Sequence, residues 1–129
     1  MAYVVDASAL LALLKNEPGA DLVRTEAVSA LVSAVNSAEI WSRVLEDDEN
    51  GLLPGICELE LDALGLTIVP FDQSAALATA ELRPLTRLRG LSLGDRACLA
   101  LARERHLPVL TADRSWAALD LGLDIQLIR

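Results

Sequence analysis

Four carboxylates stand where chemistry and architecture meet: Asp6, Glu39, Asp95 and Asp113. Asp6 closes the apolar run Tyr3-Val4-Val5, and Asp113 closes Pro108-Val109-Leu110-Thr111-Ala112. Glu39 and Asp95 lie near the starts of two helical patterns. Acids gathered without a His or Cys among them make a hard, oxygen-rich site that suits Mg2+ or Mn2+. Divalent ions held in this way activate water, support in-line attack and stabilise charge on phosphorane-like oxygens, which is the chemistry of phosphodiester hydrolysis. A hydroxyl accompanies two of the acids, Ser8 near Asp6 and Thr111 near Asp113. Uncompensated carboxylates crowded together raise one another's pKa, and a bound cation removes that cost.

Each acid also has a plainer role open to it. Asp6 and Asp113 are favoured helix N-caps for the segments that follow them. Asp95, after Ser92-Leu93-Gly94, suits the dipole of its helix, and Glu39 is an ordinary first-turn acid. Competing catalytic arrangements are missing. His106 is the sole histidine and reads as a helix C-terminal residue after Arg103-Glu104-Arg105, so no Ser-His-Asp or Cys-His set exists. There is no Gly-rich phosphate loop. Cys57 and Cys98 form no CxxC and read as buried thiols of a reducing compartment.

The elements that must position the acids follow from apolar runs and their punctuation. Strands are predicted at 2–6, 30–33, 66–71, 108–112 and 124–128. Helices are predicted at 8–15, near 18–27, and at 36–48, 55–64, 73–83, 94–106 and 114–120. Glu17-Pro18-Gly19 breaks the first helix, Asn50-Gly51 ends the acidic one and Leu107-Pro108 opens the fourth strand. Short strands, apolar on both faces and alternating with helices, predict a three-layer α/β sandwich around a parallel sheet. In such a sheet the strand ends and helix starts share one functional edge, and all four acids fall on it. The helix pair at 36–64 is longer than a minimal crossover and is expected to project from the body.

The 129 residues are the usual size of one domain and need no disulfide staple. The 53% apolar content, with only 3% aromatic, means a Leu/Ala-rich core or an apolar surface that a partner covers. No stretch approaches a membrane span, and Asp6 interrupts the first apolar run, which is not a signal peptide; a soluble, cytoplasmic chain is expected. The net charge of −8 alone argues against nucleic-acid binding. The charge is uneven, however. Residues 46–62 are acidic with no base, whereas 83–105 hold Arg83, Arg87, Arg89, Arg96, Arg103 and Arg105. Arg96 and Arg114, each directly after a site acid, are the best candidates for phosphate contacts.

Taken in order, these blocks resemble the PIN-domain ribonucleases, in particular the VapC-type toxins of toxin–antitoxin systems. The resemblance runs through Val4-Val5-Asp6-Ala7-Ser8-Ala9-Leu10, Val35-Asn36-Ser37-Ala38-Glu39-Ile40 and Ile68-Val69-Pro70-Phe71-Asp72. It is most specific at Gly90 to Ala102 and at Leu110-Thr111-Ala112-Asp113-Arg114-Ser115-Trp116. It implies a five-stranded parallel sheet and an Mg2+ or Mn2+ site at Asp6, Glu39, Asp95 and Asp113. It further implies an RNA substrate, a cognate antitoxin held by the helix pair at 36–64, and a homodimer. Some relatives carry a further acid after the fourth; Ser115 and Trp116 stand there instead.

Other classes fare worse. A phosphorylation-receiver domain needs a Lys after its fifth strand, and the only lysine is Lys15 in the first helix. A DxD-type phosphatase fails because Asp6-Ala7-Ser8 lacks the second Asp. A catalytically inactive PIN scaffold that only binds protein is the remaining alternative, and the intact quartet argues against it.

Overall fold

Adjacent strand residues point to opposite faces, and the central strand shows the consequence. In the computed structural model, which describes residues 2–46 and 51–129, β1 is the pair Val4–Val5. Val5 joins an apolar core with Val32 and Leu110, while Val4 joins a second core with Val109. The flanking strands are β2 (Leu31–Ser33), β3 (Thr67–Val69), β4 (Val109–Thr111) and β5 (Ile125–Leu127). They form one sheet in the order β3-β2-β1-β4-β5, every pair parallel.

The first core is filled by α1 (Ala7–Leu14), α2 (Ala20–Glu26), α3 (Ala34–Glu46) and α4 (Pro54–Ala63). The second is filled by α5 (Gln73–Thr86), α6 (Leu93–Arg105) and Trp116. Two helical layers over one five-stranded parallel sheet are the three-layer arrangement expected from the sequence. Of the described elements, two are 3₁₀ turns, Arg87–Arg89 and Arg114–Ala118, the second standing where a short helix was predicted.

Several boundaries differ from expectation for identifiable reasons. The strands are shorter than their apolar runs; at Asp6 the N–H still bonds Leu110 O, but the side chain already caps α1. α5 runs through Pro84 to Thr86 instead of stopping at Arg83. Pro84 sits in the last turn, where it withholds one N–H from the Ala80 carbonyl, and Thr86 Oγ1 donates to Leu82 O at 2.7 Å to close that turn. β3 is not apolar on both faces in the expected sense, since as an edge strand it leaves Thr67 and Ile68 exposed. α3 buries Asn36, Ile40 and Val44, whereas α4 buries only Cys57 and exposes Leu53, Ile56 and Leu59. The predicted end of the acidic helix at Asp47 and Asp48, and Asn50, lie outside the described residues.

One glycine is required by close packing. Gly19 caps α2 at φ +96°, and a Cβ there would meet Ile128 O at 2.6 Å. That contact seats the end of β5 against the start of α2. His106 closes α6 in the left-handed region at φ 55°, as its place at the helix end predicted. Both cysteines are buried and free.

Candidate active site

The strand order places β2 on one side of β1 and β4 on the other. The crevice beyond the strand ends at such a reversal is where open α/β sheets bind ligands. Asp6 directly follows β1, and Asp113 follows β4 by two residues. The register pairs Val5 with Leu110, and Asp6 N donates to Leu110 O at 3.2 Å. Two acids separated by more than a hundred residues are thereby brought to one edge.

A shared hydroxyl joins them. Asp6 is 4% exposed. As N-cap of α1, its Oδ1 accepts from Ala9 N at 3.0 Å. Ser8 Oγ donates to the same carboxylate at 2.8 Å, and Thr111 Oγ1 donates to Oδ2 at 2.7 Å. Each hydroxyl has one proton to give, so each then accepts: Thr111 Oγ1 from Asp113 N and Ser8 Oγ from Ala112 N, both at 3.0 Å. Burial pushes Asp6 up from 3.8 to about 6; bonds from Thr111, Ala9 and Ser8 pull it down, and the charge of Asp95 adds a little upward. Burial, not mutual repulsion among carboxylates, is the main cause of the shift.

The second pair meets across a glycine. Ser92 and Asp95 form a reciprocal capping box at the start of α6: Asp95 N donates to Ser92 Oγ at 3.1 Å and Ser92 N to Asp95 Oδ2 at 3.0 Å. Gly94, beside Asp95, is buried because the Glu39 carboxylate lies on it. A Cβ on Gly94 would fall 2.6 Å from Glu39 Cδ and 2.8 Å from Oε2. One turn further along α6, Cys98 is completely buried, and its thiol is held well above its usual pKa by burial and then by Asp6, Asp95 and Glu39. Three of the four acids therefore act on one point of α6.

Exposure grades across the quartet, from buried Asp6 through half-buried Asp95 and Asp113 to exposed Glu39. Among the described residues, no three His, Cys, Asp or Glu side chains converge as a ready-made metal cluster. Two of the acids are engaged by their caps. Asp113 Oδ1 accepts from Ser115 N at 3.0 Å and Ser115 Oγ at 2.6 Å, and Asp95 Oδ2 is turned onto Ser92 N. A carboxylate has two oxygens and about four lone pairs, so capping through one oxygen leaves the other for a cation. The donor set fits a hard divalent ion: all oxygen, graded from the interior to solvent, with a glycine making room for Glu39.

The arginines divide. Arg114 is exposed, and its Nε donates to Arg129 O at 3.3 Å. Arg96 is half-buried, and its Nε is buried without a hydrogen-bond partner. Sequence reasoning passed over Asn36, whose amide donates to Glu39 Oε1 at 2.8 Å. The available signal was its position three residues before Glu39 on one helix face.

A doubly covered five-stranded parallel sheet with acids at its topological switch point defines the architectural class: an open α/β fold with a crevice at the strand ends. The chain belongs to the PIN-domain family, whose family model matches residues 3–121. No curated protein matches it in sequence. Its fold is shared with a toxin–antitoxin complex from Klebsiella pneumoniae, at 17% identity and a TM-score of 0.73, covering 100% of this chain and 98% of that one. FitAcB from Neisseria gonorrhoeae is similar at 23% identity and 0.72, covering 96% of each chain. VapBC2 from Rickettsia felis, bound to a DNA fragment from its promoter, is similar at 18% identity and 0.67, covering 98% of each.

Proposed function

We propose that this chain is a toxin of the VapC type, an Mg2+- or Mn2+-dependent endoribonuclease. The observation that carries the reading is the pairing of acids at the switch point, Asp6 with Asp113 through Thr111 and Glu39 with Asp95 through Gly94. Asp6, Glu39, Asp95 and Asp113 would hold the metal, and Ser8 and Thr111 would orient Asp6. When bound, a divalent ion supplies a more acidic water and charge neutralisation at the phosphate. The side chains do the remainder. Thr111 and Ser8 keep the Asp6 oxygens fixed, the Ser92 cap holds Asp95 at the head of α6, and Arg96 and Arg114 flank the acids where phosphates would lie.

The partners follow from surfaces and from relatives. Leu45, Leu53, Ile56 and Leu59 leave the α3–α4 pair with an apolar exposed flank, which fits a cognate antitoxin held there. The similar structure from Klebsiella pneumoniae is a toxin–antitoxin complex, which supports that partner. A homodimer and a cytoplasmic location complete the reading; among the described residues no helix is long and apolar enough to cross a membrane.

The second reading, an inactive scaffold that binds protein, draws on the commitment of Asp95 and Asp113 to their caps. Cleavage of a mixed RNA pool by purified protein in Mn2+ separates the two. Cleavage that EDTA and Asp6→Asn each abolish is the expected result, with a loss on the order of 100-fold or more for the variant. Equal cleavage by Asp6→Asn refutes the site.

A further inference from the structure

Asn36 is 1% exposed and lies one turn before Glu39 on α3. Its Nδ2 donates to Glu39 Oε1 at 2.8 Å and to Gly94 O at 3.0 Å. Two acceptors around that end of the amide identify it as the nitrogen, because an oxygen there would face two oxygens. The amide therefore spends both protons on the two segments that carry Glu39 and Asp95. Gly94 completes the arrangement from the other side, since its missing Cβ is the space the Glu39 carboxylate occupies.

The remaining atom argues against a role in stability alone. Asn36 Oδ1 is buried without a hydrogen-bond partner. A buried amide oxygen without a donor is a cost to the fold that an apolar side chain of similar size would not carry. What asparagine does that such a side chain cannot is hold a carboxylate. Glu39 itself is exposed on a side chain with three rotatable bonds, and the contacts that hold its carboxylate are the Asn36 amide and the Gly94 surface.

We propose that Asn36 is a positioning residue: with Gly94 it forms a socket that sets the Glu39 carboxylate beside Asp95 in the orientation a divalent cation needs. The proposal rests on the metal-site reading above. Neighbours that orient a ligand carboxylate are worth about 10- to 100-fold in metal affinity.

The test uses a shape-matched pair, Asn36→Thr and Asn36→Val, which differ by one hydroxyl. Mn2+ dissociation constants come from EPR titration of folded protein, and melting temperatures in EDTA are measured alongside. Asn36→Val is expected to weaken Mn2+ by about 10- to 100-fold, and Asn36→Thr, which keeps one donor, to recover part of the loss. Both should melt close to each other in EDTA. Gly94→Ala should weaken Mn2+ as well, because its new Cβ displaces the carboxylate. If Asn36→Val binds Mn2+ as tightly as wild type, whatever its melting temperature, the socket is structural and the proposal is overturned. If wild type itself binds no Mn2+, the metal-site reading fails and takes this one with it.

Discussion

Asp6→Asn in the metal-free protein tests how the site is built. The carboxylate is 4% exposed and its pKa is raised from 3.8 to about 6, with burial the largest cause. At 1.36 kcal/mol per unit, the native state carries a cost of about 3 kcal/mol for the ionised form. The sign follows from the two protonation states. Below pH 3.8 the group is protonated in both the folded and unfolded chain, and the fold has its full stability. Between 3.8 and about 6 the unfolded chain releases its proton while the native one keeps it, so stability falls as pH rises. Above about 6 the whole cost is present.

Asparagine removes the charge and keeps most of the geometry. Its Oδ1 still accepts from Ala9 N and Ser8 Oγ, and its Nδ2 can donate to Thr111 Oγ1, reversing that one bond. Allowing about 1 kcal/mol for the reversal leaves a net gain of about 2 kcal/mol at pH 8. For a chain of this size that is about 5–10 °C in Tm. At pH 4 the gain should vanish. Urea titrations in EDTA at both pH values measure it, with equal m-values confirming that the denatured states match. Mn2+ at a hundredfold excess over its Kd should stabilise wild type by roughly 3 kcal/mol, leave Asp6→Asn nearly unmoved, and close the gap between them. A difference that is the same at pH 4 and pH 8, or an Asn variant less stable at pH 8, would refute the argument that burial of this charge strains the apo fold.

Two further outcomes are expected. Gly19→Ala should destabilise the fold by about 2 kcal/mol or more, because φ +96° and the approach of Ile128 O at 2.6 Å both exclude a Cβ; calorimetry showing a near-neutral change would mean that β5 does not seat there. Arg114→Ala should lower the salt slope of RNA binding by about one unit if its guanidinium meets a phosphate, whereas an unchanged slope would assign it to the Arg129 carbonyl it already contacts.

Much of this arrangement was legible because it is written locally. Asp6 and Asp113 each end an apolar run, and in a parallel sheet a run's end is the functional edge. Asp95 was legible as an acid at a helix start after Ser92-Leu93-Gly94, and its reciprocal capping box with Ser92 is what the structure adds. What escaped depends on distance or on edge position. Asn36 reaches Gly94 across 58 residues, and nothing in the local pattern marks that contact. The exposure of Thr67 and Ile68 depends on β3 being outermost in the sheet, which the order of elements along the chain does not state. The burial of the Arg96 Nε is likewise a property of how α6 packs, which adjacency to Asp95 in the chain does not state.

The sequence posed helix capping and metal binding as rival explanations of the same acids, but capping does not exclude the proposed metal site. Asp6, Asp95 and Asp113 do cap: each accepts a backbone N–H at the start of its segment. Capping is what places a carboxylate at the head of a helix, and the head of a helix beyond a parallel strand is the crevice edge. In Asp95 and Asp113 one oxygen anchors the residue to a backbone N–H and the other remains for a ligand, whereas Asp6 Oδ2 already accepts from Thr111 Oγ1 and has only its further lone pair to offer. Glu39 is the exception, since it caps nothing and takes its anchor from Asn36 instead. Capping alone therefore cannot decide for or against a metal. The decision lies in what capping does not require: burial of Asp6 to 4% exposure at a raised pKa, and a glycine kept open for Glu39. A cap works best at the surface, where its charge costs little. A cap buried deeply enough to strain the fold is what the proposed metal site would require, since a bound cation would relieve that strain.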